Sequence, residues 1–174
     1  MDREFIIIPY VQLDGIWSLK DSEIGIIFDR MIAENTLKRV FYDGKTTEKS
    51  QFLALCKSPD QVGITAWRTE KDPILFSWVN GIVNGRGFIH FCGFKSCSAR
   101  IIIRAAHAMI KILAGQFDCL VGITPENITE AVHLSKMAGF HVLGTIPSLL
   151  YLFYEDRRVG GVISFLEGGR DGTW

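Results

Sequence analysis

The feature that most constrains the fold is the stretch 88–140, which predicts a strand, a loop, a helix, a second strand and a second helix in succession. The two predicted strands are the apolar runs 88–92 and 119–123. A helix that begins directly after a strand of an α/β sheet presents free backbone N–H groups that can bind an anion. The loop 93–98 therefore predicts a site for a phosphorylated ligand.

The helix predicted from Ala99 has the clearest residue pattern in the chain. Ser98 is a good N-cap residue, and Gly115 is a good residue to end the helix. Nearly every position between them is apolar, so we expect a helix that is buried around most of its circumference. The exceptions form one polar stripe that we expect to face solvent: Arg100, Arg104, His107 and Lys111.

Composition describes a globular chain that is rather apolar. The 174 residues are 48% hydrophobic and 22% charged, with a net charge of zero, so nothing in the balance favours a nucleic-acid partner. We expect one domain over residues 1–167 and a flexible C-terminal tail over 168–174. The apolar segment 101–123 carries charged residues and is not expected to span a membrane. The four cysteines lack metal-ligand or disulfide-like spacing, which favours a reduced intracellular protein without a metal site.

Shorter patterns predict the remaining elements. The apolar run 5–8 predicts a buried strand, and the spacing after Asp21 predicts a helix capped by Asp21 or Ser22. Further predicted elements are a helix over 46–57, strands over 62–67 and 74–79, a hairpin turn at Asn84 and Gly85, a helix from Asn127 with Glu130 in a capping box, a strand over 141–146 and a last hairpin of strands 149–154 and 159–166.

This order of elements resembles the Gcn5-related N-acetyltransferase (GNAT) superfamily. The most specific piece is the run Ile-Thr-Pro-Glu-Asn at 123–127, which continues through Ala131 to Gly139 and Phe140. It is similar to the family's last core motif, a strand followed by Pro-x-Asn, a helix with an inward Ala, and Gly-Phe before the next strand. The resemblance implies an α/β (α+β) fold with a central mixed, mostly antiparallel twisted sheet flanked by helices.

The resemblance also implies where a cofactor would bind. Acetyl-CoA would lie in a wedge between the strands 88–92 and 119–123, with its pyrophosphate on the following loop. The implied cofactor-binding residues are Cys92, Gly93, Phe94, Lys95, Ser96, Cys97, Ser98, Ala99, Arg100 and Asn127. The family's loop signature places two glycines after a Gln or Arg. With Lys95 in the basic position, those glycine positions hold Ser98 and Arg100, and one register earlier they hold Cys97 and Ala99.

Two residues are candidates for catalysis. The position that often carries the family's general-acid tyrosine holds Ser135. His90 is the only titratable side chain on the strand before the loop, and an imidazole can act as a general base near neutral pH. The alternative interpretation of His90 is a strand histidine that is hydrogen-bonded in or near the core.

Two functions follow as expectations. The first is an acyl-CoA-dependent N-acyltransferase that uses acetyl-CoA and modifies the amine of a small molecule or protein. The second is a non-catalytic interaction scaffold with a protein partner or a homo-oligomeric state, which the missing loop glycines, the missing tyrosine and the apolar bias favour. The pattern also resembles small acetyltransferase-like proteins of tailed bacteriophages, some of them virion or head-assembly components. The corresponding location is cytoplasmic, or within a virion for a phage-encoded protein.

Overall fold

A seven-stranded sheet forms the centre of the computed structural model, which describes residues 4–169. The strands in chain order are β1 (Ile6–Tyr10), β2 (Gln12–Leu13), β3 (Ile16–Trp17), β4 (Val62–Thr69), β5 (Asp72–Val83), β6 (Arg86–Gly93), β7 (Cys119–Pro125), β8 (His141–Leu152) and β9 (Arg157–Glu167). The helices are α1 (Asp21–Ala33), α2 (Leu37–Val40), α3 (Lys49–Cys56), α4 (Ala99–Ala114) and α5 (Thr129–Met137). The strands β2 and β3 form a separate small hairpin.

The strand order in the sheet is β1-β4-β5-β6-β7-β9-β8. Only β6 and β7 run parallel, and every other neighbouring pair is antiparallel. The predicted fold class, a mixed and mostly antiparallel sheet flanked by helices, is therefore confirmed. The predicted hairpin between β5 and β6 is also confirmed, because Asn84 and Gly85 both have positive φ angles, 49° and 74°, as a tight hairpin turn requires.

The long helix α4 packs against β1, β4 and β5 as its pattern predicts. Its buried side chains include Ile101, Ala105, Met109 and Leu113, and its four polar residues are exposed. The Ser98 hydroxyl accepts a hydrogen bond from the Ile101 N–H at 3.4 Å, and the helix ends at Gly115. The predicted caps of α4 are thus confirmed.

An aromatic cluster fills the opposite side of the sheet, beneath α1 and α3. Phe52 contacts Phe28, Phe41 and Phe76, with ring centroids 5.5 to 6.1 Å apart. Phe76 and Phe41 both stack on Trp78. All five rings are buried, so this cluster holds the N-terminal helices onto the sheet.

Three local predictions in the N-terminal third were wrong. β1 is a half-exposed edge strand with Ile6 44% exposed, because it pairs only with β4 and its other edge has no partner within residues 4–169. Lys20, not Asp21 or Ser22, is the N-cap residue of α1, since the Glu23 carboxylate accepts the Lys20 N–H at 2.6 Å. The helix predicted over 46–57 begins at Lys49, because the Gln51 side chain accepts the N–H groups that precede it.

The C-terminal elements also depart from the predicted boundaries. Asn127 does not cap α5, because the Ile128 N–H closes a turn on the Pro125 carbonyl and the Ile128 carbonyl then accepts the first helical hydrogen bonds. β8 is one strand of 12 residues, and an irregularity after Ile146 absorbs the break that the sequence predicts there. Gly139 has the expected positive φ of 96°, and Phe140 is buried against Phe91.

The first residue of the predicted tail, Gly168, forms a backbone hydrogen bond with the sheet-proximal residue Asp118. The Gly168 N–H donates to the Asp118 carbonyl at 2.8 Å, and residues 170–174 lie outside the described part of the chain. None of the helices between residues 4 and 169 is long and apolar enough to cross a membrane.

Candidate functional site

A cleft opens where the two parallel strands β6 and β7 separate. They pair at only three positions, where Arg86, Gly87 and Phe88 lie opposite Cys119, Leu120 and Val121. Beyond these pairs the strands diverge, and a cleft of about 660 Å³ lies between them. The main-chain groups of residues 89–93 that point away from β5 therefore face this cleft without a ladder partner.

The walls of the cleft are mostly apolar. Most of the wall residues come from β6, β7, α4 and α5, so elements that are distant in sequence enclose one space. The apolar wall residues include Ile89, Phe91, Ile102, Ile103, Ile123, Leu134 and Phe140. A cleft with such walls suits an uncharged, flexible chain of a ligand and excludes much of the water around it.

The predicted cofactor residues divide into two groups. Five of them line the cleft: Cys92, Gly93, Phe94, Lys95 and Ala99. The other five lie outside the cleft lining: Ser96, Cys97, Ser98, Arg100 and Asn127. The loop thus borders the cleft at both of its ends, while its middle faces elsewhere.

The middle of the loop is bound by the carboxylate of Glu34, at the C-terminal end of α1. This carboxylate accepts hydrogen bonds from the Lys95 backbone N–H and from the Ser96 hydroxyl. Arg30 donates to the same carboxylate at 3.0 Å and also contacts Asp72. One backbone donor of the predicted phosphate loop is therefore already paired with an anion of the chain itself.

The charge of Glu34 is stabilised by these contacts. Burial acts to raise the pKa of the Glu34 carboxyl, but its three hydrogen-bond donors outweigh burial and hold that pKa below its usual value. Arg30 is fixed in turn by its position over the ring of Phe94, 5.1 Å from the ring centroid. The loop is thus anchored to α1 by a charged network that lies outside the cleft lining.

The N-terminus of α4 retains part of its donor set. The N–H groups of Ile101 and Ile102 bond to the carbonyl of Ser98. The first-turn N–H groups of Ala99 and Arg100 have no partner within residues 4–169. The N–H groups of Ser96 and Ser98 likewise have no partner within residues 4–169. Together with these donors, the exposed side chains of Lys95 and Arg100 could bind an anion here.

His90 lies just beyond the point where β6 leaves β7, and it lines the cleft. Its ring stacks on Trp78 with centroids 4.7 Å apart, and its Nε2 lies 3.2 Å from the Asn80 Oδ1. Burial lowers the pKa of His90 to about 4, against a smaller opposing effect of Asp43. The side chain is therefore both hydrogen-bonded at the edge of the core and in contact with the cleft, as a neutral imidazole.

Ser135 also lines the cleft, but its hydroxyl is committed to an internal hydrogen bond. The Ser135 hydroxyl donates to the Ser164 hydroxyl at 3.1 Å, and Ser164 donates to the Gly122 carbonyl at 3.4 Å. A serine hydroxyl is a far weaker acid than a phenol. The geometry gives Ser135 a role in joining α5 to β9 and β7.

The sequence did not reveal the residues at the other end of the cleft. Arg39 of α2 forms two hydrogen bonds with the carboxylate of Glu130 on α5, at 2.9 and 3.0 Å. Tyr42 and Trp78 line the same end. Burial, with a smaller effect of Asp43, raises the pKa of the Tyr42 phenol. No local motif marks these residues, because they meet only through the fold.

The cysteines beside the cleft are not activated nucleophiles. Burial raises the pKa of the Cys92 thiol to about 12, and burial is also the largest effect that raises the pKa of Cys97. The thiolate is the nucleophilic form, so burial disfavours nucleophilic attack by either thiol. Within residues 4–169, no group of three or more His, Cys, Asp or Glu side chains is placed to hold a metal ion.

Comparisons with known proteins found matches among solved structures alone. No protein-family model matches the sequence, and no curated protein matches it. Among solved structures, a ribosomal L7/L12 alpha-N-protein acetyltransferase, RimL, in complex with coenzyme A is 11% identical, with a TM-score of 0.72 over 88% of this chain and 93% of that chain. The chain has the GNAT acetyltransferase fold.

Further acetyltransferases share this fold. A ribosomal-protein-S5-alanine acetyltransferase from Vibrio fischeri is 12% identical, with a TM-score of 0.70 over 100% of this chain and 98% of that chain. The acetyltransferase yncA from Salmonella typhimurium, described as putative and solved with acetyl-CoA, is 8% identical, with a TM-score of 0.69 over 95% and 94%. Identities this low show the fold alone, and these structures bring no support for the resemblance to bacteriophage proteins.

Proposed function

We propose that the protein is an acyl-CoA-dependent N-acyltransferase. The observation that carries this proposal is the divergence of β6 from β7 after three paired positions, which opens an apolar cleft beside the N-terminus of α4. The neighbours of the same fold include enzymes whose structures contain coenzyme A or acetyl-CoA. Since a fold does not fix a function, the proposal depends on the cleft and its chemistry.

The residues of the cleft fit the acyl and pantetheine part of such a cofactor. A cleft of about 660 Å³ is within the range of small-molecule sites. The main-chain groups of residues 89–93 that point away from β5 would supply donors and acceptors for the amides of the pantetheine arm. When bound, acyl-CoA supplies a thioester whose acyl carbon is open to attack by an amine.

Fewer groups of the protein would bind the pyrophosphate of the cofactor than its acyl and pantetheine part. The N–H groups of Ala99 and Arg100 would hold the pyrophosphate, with the side chains of Lys95 and Arg100 adding positive charge. The Lys95 N–H is excluded from this set, because it binds Glu34. We therefore expect the apolar cleft to contribute more of the affinity than the loop.

The acceptor amine would enter from the end formed by Arg39, Tyr42 and Glu130. His90, which is neutral at pH 7, would accept a hydrogen bond from the attacking amine and so orient it. A general base works best with a pKa near the operating pH, so an imidazole with a pKa of about 4 contributes little as a proton acceptor. The pH dependence of kcat/KM should then follow the ionisation of the amine, without an inflection near pH 6.5.

Isothermal titration calorimetry with acetyl-CoA tests the proposal. We expect measurable binding by the wild-type chain, and a loss of at least about tenfold in affinity for Ile103→Trp, which fills the cleft. Ile112→Trp is the matched control, because it makes the same change on an exposed part of the same helix. No binding at millimolar acetyl-CoA would refute the proposal and favour the non-catalytic scaffold.

The acceptor is tested separately. Mass spectrometry of acetyl transfer, with spermidine and a peptide with a free N-terminus as probes, covers a small-molecule and a protein amine. Neighbours with this fold are named for both kinds of acceptor. Cofactor binding without transfer to either probe would leave the cleft assignment standing and contradict this choice of acceptors.

A further inference from the structure

The loop between β6 and α4 already holds an anion, the carboxylate of Glu34. The Lys95 N–H and the Ser96 hydroxyl both donate to this carboxylate, and the Arg30 Nε–H donates to it at 3.0 Å. Arg30 also donates to the Ser96 hydroxyl oxygen. A backbone N–H, a hydroxyl and a guanidinium are donors with which proteins commonly bind phosphate. The loop thus has the donor set of an anion site, and a side chain of the same chain occupies it.

Arg30 is fixed beside the loop by groups other than Glu34. It donates a further hydrogen bond to Asp72, whose carboxylate also pairs with Arg68 at 2.9 Å. Its guanidinium lies over the ring of Phe94, 5.1 Å from the ring centroid. Because these contacts do not involve Glu34, Arg30 would stay beside the loop when the Glu34 carboxylate moves away.

Glu34 is placed where its side chain can move without disrupting the fold. It is the C-cap residue of α1, so its side chain projects from the end of the helix. Rotation about its side-chain torsions would release the three donors without breaking a backbone hydrogen bond of α1. Phe94 and Lys95 line the cleft, so the released donors would lie next to it.

We propose that Arg30, the Lys95 N–H and the Ser96 hydroxyl form a phosphate-binding site, and that the Glu34 carboxylate competes with phosphates for it. For the pyrophosphate of acyl-CoA this inference rests on the proposed function, whereas for inorganic pyrophosphate, which has the same chemistry, it does not. Phosphate oxygens would take over the hydrogen bonds that Glu34 now accepts. The affinity would then be reduced by the displacement of Glu34 and by repulsion between the two anions.

The charges of this group determine how strongly Glu34 competes. The group consists of three cations, Arg30, Arg68 and Lys95, and two anions, Glu34 and Asp72, which leaves one positive charge. Loss of the Glu34 charge would leave two. Burial acts to raise the pKa of the Glu34 carboxyl, but its hydrogen bonds outweigh burial and lower that pKa, so the competitor is charged at neutral pH.

Isothermal titration calorimetry of the full chain with three ligands tests the proposal. Acetyl-CoA carries both the pyrophosphate and the acyl arm, inorganic pyrophosphate only the former, and S-acetylpantetheine only the latter. Glu34→Gln should tighten the binding of acetyl-CoA and of pyrophosphate by about tenfold, because the loop regains a hydrogen bond to a charged ligand and loses a neighbouring negative charge. The affinity for S-acetylpantetheine should change by less than about twofold.

Asp29→Asn is the matched control, since it removes a carboxylate that lies on the same helix and pairs with Lys49. It should leave all three affinities within about twofold of the wild type, because exposed charges are screened by salt. The gain of Glu34→Gln should disappear when Arg30→Gln is added, because the guanidinium is then missing from the site. Circular dichroism first establishes that each variant is folded.

Several results would contradict the competition. Unchanged or weaker binding of acetyl-CoA and pyrophosphate by folded Glu34→Gln would overturn it, and so would an equal gain for S-acetylpantetheine or for Asp29→Asn. A gain that persists after Arg30→Gln would remove Arg30 from the site. The two proposals fail separately: a wild type that does not bind acetyl-CoA contradicts the acyltransferase, while pyrophosphate still tests the anion site.

A measurement on the wild type decides the question even if Glu34→Gln does not fold. In amide NMR spectra, the Lys95 signal should shift when excess pyrophosphate is added, because the acceptor of its N–H changes from a carboxylate to a phosphate. The signal of Ile24, which is buried on α1, should stay in place. An unchanged Lys95 signal would overturn the proposal.

Discussion

The Glu34 carboxylate should be a main stabiliser of the loop between β6 and α4, and Glu34→Gln tests this directly. The carboxylate accepts hydrogen bonds from the Lys95 N–H, the Ser96 hydroxyl and Arg30. Its side chain is only 14% exposed, so solvent screens these interactions weakly. The glutamine amide keeps one acceptor oxygen but removes the charge and the second acceptor.

The expected cost follows from the number and type of these bonds. Hydrogen bonds to a charged group each contribute about 1.5–3 kcal/mol, and we expect the substitution to lose the equivalent of one of them. For a chain of this size, 1 kcal/mol shifts the melting temperature by about 2–4 °C. Thermal unfolding should therefore show a melting temperature lower by about 3–12 °C. Urea unfolding should show a free energy of unfolding lower by about 1.5–3 kcal/mol.

The pH dependence provides a second readout with a definite sign. The folded-state pKa of Glu34 lies below its unfolded value, so the stabilisation is complete above the unfolded pKa and is lost as pH falls through the folded pKa. The difference in unfolding free energy between wild type and Glu34→Gln should thus shrink in acid. Glu70→Gln, on an exposed turn, is the control for loss of charge. Equal stability of Glu34→Gln and wild type at pH 7 would refute the reasoning.

Three further predictions concern buried groups. In the native chain only the thiol of Cys119 should react with a thiol reagent at neutral pH, since the other three cysteines are buried, and all four should react in denaturant. His90 should stay neutral down to about pH 4 in an NMR titration, and a midpoint near its ordinary value would contradict its burial. Gly87→Ala should destabilise by about 1–3 kcal/mol in urea unfolding, because its Cβ would lie 2.4 Å from the Val79 side chain. Gly115→Ala, with nothing nearer than 3.6 Å, should cost much less.

Long periodic patterns made the fold predictable. The α4 stripe, its caps at Ser98 and Gly115, and the Asn84–Gly85 turn each depend on residues close in sequence. Three of the errors fell at helix starts, where a side chain or a turn decides between neighbouring residues. Gln51 fixes the start of α3, and the Pro125 turn displaces Asn127 from the cap of α5. Residue types alone do not show at which of several neighbouring residues a helix begins.

The site was predictable in part for a related reason. The loop and His90 belong to the strand–loop–helix stretch, so sequence order placed them beside the cleft. Glu34 is separated from Ser96 by 62 residues, and Arg39 from Glu130 by 91. Contacts over such separations exist only once the sheet has formed, and no local pattern records them. His90 lies on the strand where the sequence predicts it, but its lowered pKa depends on burial that residue identity does not show.

The contacts of the loop indicate which part of the site would contribute most to the affinity for a cofactor. In the family signature, glycines let phosphates approach the loop backbone; here Ser98 uses its hydroxyl to cap α4, and the Lys95 N–H is held by Glu34. The remaining positive charge sits on exposed side chains, whose attraction is screened within about 10 Å at 0.1 M salt. The apolar walls around Ile103 are insensitive to this screening. Salt should therefore weaken only the phosphate contribution, so a cofactor that binds this chain would be held chiefly by the cleft between β6 and β7.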